Sequence, residues 1–150
     1  MRAVIQRVLW AKVEIDKKLS GEISQGILLL LGIYQEDTDD EASLLAKKVS
    51  ELRIFEDENG KMNRSLKDND GAILIVPNFT LCADTSHGRR PSFIAAARPE
   101  QANPLYNLFV DLVRQTGVAR VQTGVFGADM KVSLLNDGPV TIVLDTADYK

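Results

Sequence analysis

The chain has 150 residues, 45% of them hydrophobic and 26% charged, which is typical of one water-soluble globular domain covering 1–150. A single cysteine and a single histidine exclude an internal disulfide and a Cys/His zinc cluster, and a formal net charge of −3 disfavours a general nucleic-acid binder. Because no apolar run approaches the ~20 residues of a membrane span and no signal peptide is visible, we expect a cytoplasmic protein without metal, cofactor or membrane contact.

The first half of the chain alternates strand patterns with one helix pattern. Residues 2–15 alternate apolar and polar side chains and predict a strand. After a turn at 16–21, a return strand begins at 22–24 and leads into the buried apolar run 27–33. Thr38 and Glu41 have the spacing of a capping box, which predicts a helix that ends near Leu52. Turn clusters at 56–61 and 67–71 then precede a short apolar strand at 72–76.

The second half predicts one further helix and several strands. A segment continuing the strand, residues 77–84, is followed by a polar loop at 84–92 and by a helix over 99–116, with Gly117 as its stop. Strands are expected near 118–123, 129–135 and 140–145, the last two as a hairpin around the turn residues 136–139. Two helices and about seven strands favour an α/β fold, a mixed sheet in a layered β/β/α sandwich.

Three groups of residues near the middle of the chain are candidates for chemistry. Cys82, Asp84 and His87 resemble a nucleophilic triad, although a small apolar residue in a strand explains Cys82 as well. Thr80 is a second candidate nucleophile, or simply a β-branched strand residue. Pro77 removes a ladder donor, so the amides that follow it could face a ligand and stabilise an oxyanion.

Basic residues allow two interpretations that the sequence leaves open. Arg89 and Arg90 belong either to a solvated loop or to a phosphate contact, for which guanidinium geometry is well suited. On the alternation of the first strand alone, Arg7 is a solvent-side residue.

Several separate motifs, in order along nearly the whole chain, together resemble the D-aminoacyl-tRNA deacylase family, also called the D-tyrosyl-tRNA deacylase family. They are "MRAVIQRV" at 1–8, "NFTL" at 78–81, "GRRPSF" at 88–93, "TGVFGADM" at 123–130 and "NDGPVT" at 136–141. The resemblance implies the deacylase-type fold and a homodimer that hydrolyses the ester between a D-amino acid and the 3′ end of tRNA. It also implies removal of glycine from mischarged tRNA, without a cofactor.

The resemblance also implies roles for individual residues. Gly138 and Pro139 would form a cis peptide that enters the partner subunit's site, and Arg7 would hold that segment in place. Phe79 and Thr80 would be catalytic, mainly through the backbone and with help from the 2′-hydroxyl of the terminal adenosine. Asn78 and Met130 would bind substrate. If Arg89 and Arg90 form a phosphate contact and not merely a solvated loop, that contact would be to the tRNA.

Such a Gly-Pro segment explains why Pro139 removes a backbone donor where the last predicted strand should begin. Rigid backbone atoms can exclude the Cβ of every L-amino acid, whereas a pocket that grips one side chain gains only ~1–3 kcal/mol per methylene. The family usually has Ser-Gln where this chain has Pro77-Asn78, and a related animal branch with a different stereochemical preference also has proline there. Two alternatives remain: a thiol hydrolase that uses Cys82 and His87, and a noncatalytic dimer that binds RNA ends.

Overall fold

The computed structural model describes residues 1–150 and contains eight strands, two α-helices and two short 3₁₀ helices. The strands are β1 (Arg2–Ile15), β2 (Lys18–Ile23), β3 (Gly26–Gly32), β4 (Phe55–Glu56), β5 (Met62–Arg64), β6 (Ala72–Pro77), β7 (Arg120–Thr123) and β8 (Lys131–Asp145). The helices are α1 (Asp39–Glu51) and α2 (Pro99–Gln115), and the 3₁₀ helices span Phe79–Cys82 and Thr146–Tyr149.

Six of the strands form one mixed sheet in the order β2-β1-β3-β6-β7, with β8 paired to β1. Strand β1 is antiparallel to β2, β3 and β8, whereas β6 runs parallel to both β3 and β7. The two remaining strands, β4 and β5, form a separate two-stranded antiparallel ribbon. The predicted α/β class with a mixed sheet and two main helices is confirmed.

Alternation along the buried strands creates two apolar layers. Ile27 and Leu29 of β3 belong to a cluster of 26 buried residues shared with α1 and α2, while Leu28 belongs to a second cluster of eight. The second cluster combines the other face of β3 and β6 with Val8 and Val13 of β1. Because successive side chains of a strand point to opposite faces, the all-apolar run of β3 fills both layers. None of the helices is both long and apolar enough to cross a lipid bilayer.

The helix α1 begins as its sequence predicts. The Thr38 hydroxyl accepts a hydrogen bond from the Asp40 amide, and the Glu41 carboxylate accepts one from the Thr38 amide at 2.8 Å. Both contacts satisfy donors that the helix itself leaves unpaired at its first turn. The predicted helix start at Thr38 is therefore confirmed at the level of individual hydrogen bonds.

Two predictions about the strands are wrong. The expected hairpin of 129–135 and 140–145 is a single strand, β8, and both of its halves pair with β1. The residues Asp137, Gly138 and Pro139 form a loop within that strand and do not end it, because pairing with β1 resumes at Thr141. The expected continuation of the strand after Pro77 is instead the 3₁₀ helix Phe79–Cys82, for which the Asn78 side chain provides the N-cap.

Candidate active site

The most unusual feature of the sheet is a loop of residues 137–140, called the β8 loop below, that leaves the β1–β8 ladder. Gln6 pairs with Thr141 and Val8 pairs with Asn136, so four residues of β8 lie opposite the single residue Arg7. Gly138 has a φ of 127°, and the Gly138–Pro139 peptide bond is cis. Both residues are exposed to solvent. The loop therefore presents backbone atoms, with little side chain, at the surface of the sheet.

Arg7 lies beneath the β8 loop and is only 7% exposed, so its interpretation as a solvent-side residue is wrong. The pairing register shifts at this position, and Arg7 and Val8 are both buried in succession. The guanidinium Nη1 donates to the carbonyl of Ile54 at 2.8 Å. Its Nε lies 3.3 Å from a carboxylate oxygen of Asp137, without hydrogen-bond geometry. Arg7 thus connects the loop to the segment that follows α1.

The neck of the β8 loop is closed by one side chain that sequence reasoning did not single out as a site residue. The Asn136 amide donates to the carbonyl of Arg7 at 2.9 Å and to the carbonyl of Val140 at 3.0 Å. These bonds join the two ends of the loop to each other and to β1. The only sequence signal was Asn136 within the "NDGPVT" motif, where it was interpreted as turn chemistry.

The second candidate element is the segment that follows β6. The Asn78 amide donates to the Leu31 carbonyl at 2.8 Å, and the Asn78 side-chain oxygen accepts from the Thr80 amide at 3.2 Å and from the Thr80 hydroxyl. Between them, Phe79 occupies the first position of the 3₁₀ helix, where the helix supplies no acceptor for its amide, and no turn or loop hydrogen bond engages that amide. Of the amides expected to face a ligand after Pro77, that of Phe79 is therefore the one left free.

Two adjoining cavities flank this segment and share Pro77, Phe79 and Gly127 as a common wall. The first has a volume of about 440 Å³ and is also lined by Asn78 and Met130, so these two predicted binding residues lie in one cavity. The second, about 400 Å³, is aromatic, and there the ring of Phe79 meets that of Phe93 edge-on with centroids 5.1 Å apart. Phe79 is 58% exposed, more than any other large apolar side chain that lines either cavity.

The basic pair Arg89 and Arg90 lies on an exposed loop next to the aromatic cavity. Mutual backbone hydrogen bonds between Asp84 and Ser92, both 2.8 Å, close this loop at its base. Both arginines are exposed, and neither makes an ion pair in the structure. The chain then continues directly to Phe93 of the cavity wall, so both guanidinium groups belong to a loop that ends at the cavity.

The structure disfavours a thiol nucleophile. Cys82 is 3% exposed, and its thiol donates to the Ile33 carbonyl inside the core. Burial raises the pKa of this thiol to about 11, which leaves little thiolate at neutral pH. His87 is exposed and hydrogen-bonds the adjacent Ser86 hydroxyl through Nδ1, while the Asp84 carboxylate accepts from the Ser86 amide. The three residues therefore do not form a triad. No group of three or more His, Cys, Asp or Glu side chains lies close enough together to hold a metal ion.

Sequence comparisons with known proteins identify the same family of deacylases, and the matches extend over nearly the whole chain. The family model of D-Tyr-tRNA(Tyr) deacylase matches residues 4–145. The D-aminoacyl-tRNA deacylase of Thermus aquaticus is 55% identical over 99% of this chain and 97% of its own length. That of Geobacter sulfurreducens is 54% identical over 97% of this chain and 95% of its own length.

Solved structures extend the likeness to three dimensions. A structure of c-Myc DNA Unwinding Element Binding Protein is 42% identical and superposes with a TM-score of 0.92 over 97% of this chain and 98% of that one. A probable eukaryotic D-amino acid tRNA deacylase is 19% identical, with a TM-score of 0.82 over 95% of this chain and 97% of that one, and this likeness concerns the fold alone.

A mixed sheet that shares its main apolar core with two helices, with a largely apolar cavity beside the segment after β6, places the chain among the deacylase-type β/β/α sandwiches. The chain belongs to the D-Tyr-tRNA(Tyr) deacylase family, a family of hydrolases that act on aminoacyl-tRNA esters.

Proposed function

We propose that this chain hydrolyses the ester bond of D-aminoacyl-tRNA, and of mischarged glycyl-tRNA, as a proofreading step in the cytoplasm. Water adds to the ester carbonyl carbon, and the bond to the ribose 3′-oxygen breaks. The products are a free amino acid and a tRNA with a 3′-hydroxyl. Family membership supports the reaction, and the exposed β8 loop is the observation that supports its stereochemical selection.

Catalysis in this proposal depends on the backbone more than on side-chain nucleophiles. The Phe79 amide, free of internal partners and beside the 440 Å³ cavity, donates to the oxyanion that develops on the ester carbonyl. The Thr80 hydroxyl is engaged with the Asn78 side chain, so Thr80 contributes through its place in the 3₁₀ turn. The 2′-hydroxyl of the terminal adenosine assists, as the family resemblance implies, and Asn78 and Met130 contact the substrate.

Selection against L-esters requires a second copy of the chain. In the proposed homodimer, Gly138 and Pro139 of one subunit enter the cavity of the other, where their backbone occupies the space that an L-side chain needs. Exposed apolar side chains on the same two strands support a partner. Trp10 and Leu135, directly opposite each other in the β1–β8 ladder, are both exposed. Sedimentation at several concentrations tests the dimer, and a monomer at micromolar concentration would contradict it.

A single deacylation assay tests the function. One tRNA charged with a D-amino acid, its L-enantiomer or glycine is incubated with the protein, and ester loss is compared with a no-enzyme reaction. We expect rapid loss of the D- and glycyl esters with the L-ester spared. A Cys82→Ala variant serves as the matched control and should retain full activity. Absence of cleavage in all three reactions would refute the proposal. Equal cleavage of D and L would remove the selection and point to Pro77 and Asn78 as the cause.

If the protein binds uncharged tRNA ends without turning over any ester, the noncatalytic alternative replaces this proposal. In that case the exposed pair Arg89 and Arg90 would be the first residues to test for phosphate contact, through the salt dependence of binding. In the proposed enzyme the same pair contacts the tRNA backbone, and its replacement raises KM more than it lowers kcat.

A further inference from the structure

The β8 loop has few interactions that fix its position. Its four residues replace a regular ladder, Pro139 has no amide hydrogen, and Gly138 and Pro139 are exposed. Besides the ion pair between Arg7 and Asp137 and the buried side chain of Val140, the loop is held at its base by the amide nitrogen of Asn136, which donates to the carbonyls of Arg7 and Val140 at 2.9 and 3.0 Å. The first bond connects the loop to β1, and the second joins its two ends.

We infer that Asn136 is a positioning residue for stereochemical selection, acting through the Gly138–Pro139 segment. The inference rests on the proposed function, because it concerns how sharply the enzyme distinguishes D- from L-esters. Asn136 lies at the neck of the loop, half-buried against β1, and lines neither of the two cavities next to Phe79. Its effect on the reaction is therefore indirect and passes through the loop.

The chemistry of the amide explains why asparagine suits this position. Both partners are carbonyl oxygens, so the side chain must supply two donors, and a carboxamide nitrogen carries two hydrogens. An aspartate of the same shape carries only acceptors at neutral pH and would face the two carbonyl oxygens without a donor. The bond to Arg7 spans 129 residues and fixes the loop against the sheet, whereas the bond to Val140 spans only 4 and closes the loop.

Rejection of L-esters by steric exclusion depends more strongly on the exact position of the Gly138–Pro139 backbone than hydrolysis of D-esters does. An L-amino acid is rejected only while the backbone stays in van der Waals contact with the place its Cβ would occupy, and a displacement near 1 Å is enough to change such discrimination. A D-ester makes no use of that space. Loosening the neck therefore increases cleavage of L-esters while D-ester cleavage changes less.

The test compares Asn136→Ala and Asn136→Asp with variants that change the same strand outside the neck. Ser133→Asp introduces the same charge on β8, opposite Lys12, and Thr141→Val removes a hydroxyl just beyond the loop. We expect the ratio of kcat/KM for D- over L-esters to fall about tenfold or more in both Asn136 variants, the factor that one to two lost hydrogen bonds correspond to. Both control variants should keep the ratio, and Asn136→Gln, which retains the donors, should recover part of it.

Amide hydrogen exchange provides a readout that does not depend on activity. In Asn136→Ala, exchange at Gly138 and Val140 should become at least about tenfold faster, while β1 and β6 keep their protection. A variant that unfolds at lower temperature but keeps both the D-to-L ratio and the exchange rates of the loop would overturn the inference. If the unmodified protein cleaves no ester, the proposed function fails, whereas the exchange experiment still decides whether Asn136 positions the loop.

Discussion

Replacement of Gly138 by alanine tests whether the β8 loop has the backbone geometry described above. Gly138 has a φ of 127°, a region that L-residues rarely adopt. A Cβ built there would lie 2.9 Å from Cγ2 and 3.1 Å from the amide nitrogen of Val140, and 3.3 Å from Nη2 of Arg7. One of these contacts is to backbone and another is to a buried guanidinium, so the neighbours cannot simply rotate away.

The expected loss of stability combines two contributions. A non-glycine residue in a left-handed conformation costs about 1–2 kcal/mol, and overpacking against a fixed neighbour costs about 1–3 kcal/mol. Together they predict a destabilisation of about 2–5 kcal/mol. At roughly 2–4 °C per kcal/mol for a chain of this size, Tm should fall by about 4–20 °C.

Thermal unfolding and the deacylation assay should be measured on the same samples. Gly60→Ala is the matched control, since Gly60 also has a positive φ, 72°, but no atom lies within 4 Å of the added Cβ. It isolates the conformational contribution, and its Tm should fall by only a few degrees. Gly138→Ala should also reduce the D-to-L ratio, because the contacts push on the segment that excludes L-side chains. Equal Tm values for the two variants, with an unchanged ratio, would refute the described geometry of the loop.

Three further predictions concern the segment after β6 and the start of α1. Thr80→Ala should retain substantial activity, and near-total loss with the fold intact would restore a side-chain nucleophile. Phe79→Pro, which removes the free amide, should lower kcat by about 10²–10³ relative to Phe79→Ala, which keeps it, and equal rates would exclude an oxyanion contact. Hydrogen bonds from Lys150 and Thr38 lower the pKa of Glu41 from 4.5 to about 2, so Glu41 stabilises the fold above pH 4.5 and this contribution is lost as the pH falls towards 2. In urea unfolding, Glu41→Gln should accordingly have a lower free energy of unfolding than the unmodified protein at neutral pH, and this difference should shrink as the pH falls from 4.5 towards 2. A difference that is independent of pH would contradict the pKa shift.

The sequence predicted correctly those elements whose formation depends on residues close together in the chain. The alternation of residues 2–15 predicted β1, and the spacing of Thr38 and Glu41 predicted the start of α1, because strand periodicity and helix caps involve neighbouring residues. The pair β4 and β5 was missed, since strands of two and three residues are too short to show a period.

Features that depend on distant pairing were not visible in the sequence. The continuity of β8 is set by β1, more than a hundred residues earlier, whereas the Asp-Gly and Pro signals around residue 138 act locally and favour a turn. The burial of Arg7 has the same origin, because the alternation of β1 shifts at the residue that lies opposite the β8 loop. Asn78, Phe79 and Met130, which the motifs singled out, line one cavity. The two hydrogen bonds of Asn136 depend on how β1 and the β8 loop meet in three dimensions, which no local pattern indicates.

The position of β8 has a further consequence for how the protein behaves in a crowded solution. This strand pairs only with β1, so a fifteen-residue row of backbone donors and acceptors lies along its outer side. Long unpaired edges of this kind recruit strands from other molecules and promote aggregation. The loop at 137–140 divides the row into two short stretches, and Pro139 contributes no donor. A strand from another molecule can therefore pair over only a few residues before it meets the loop. This protects the edge of the sheet against aggregation by strand pairing.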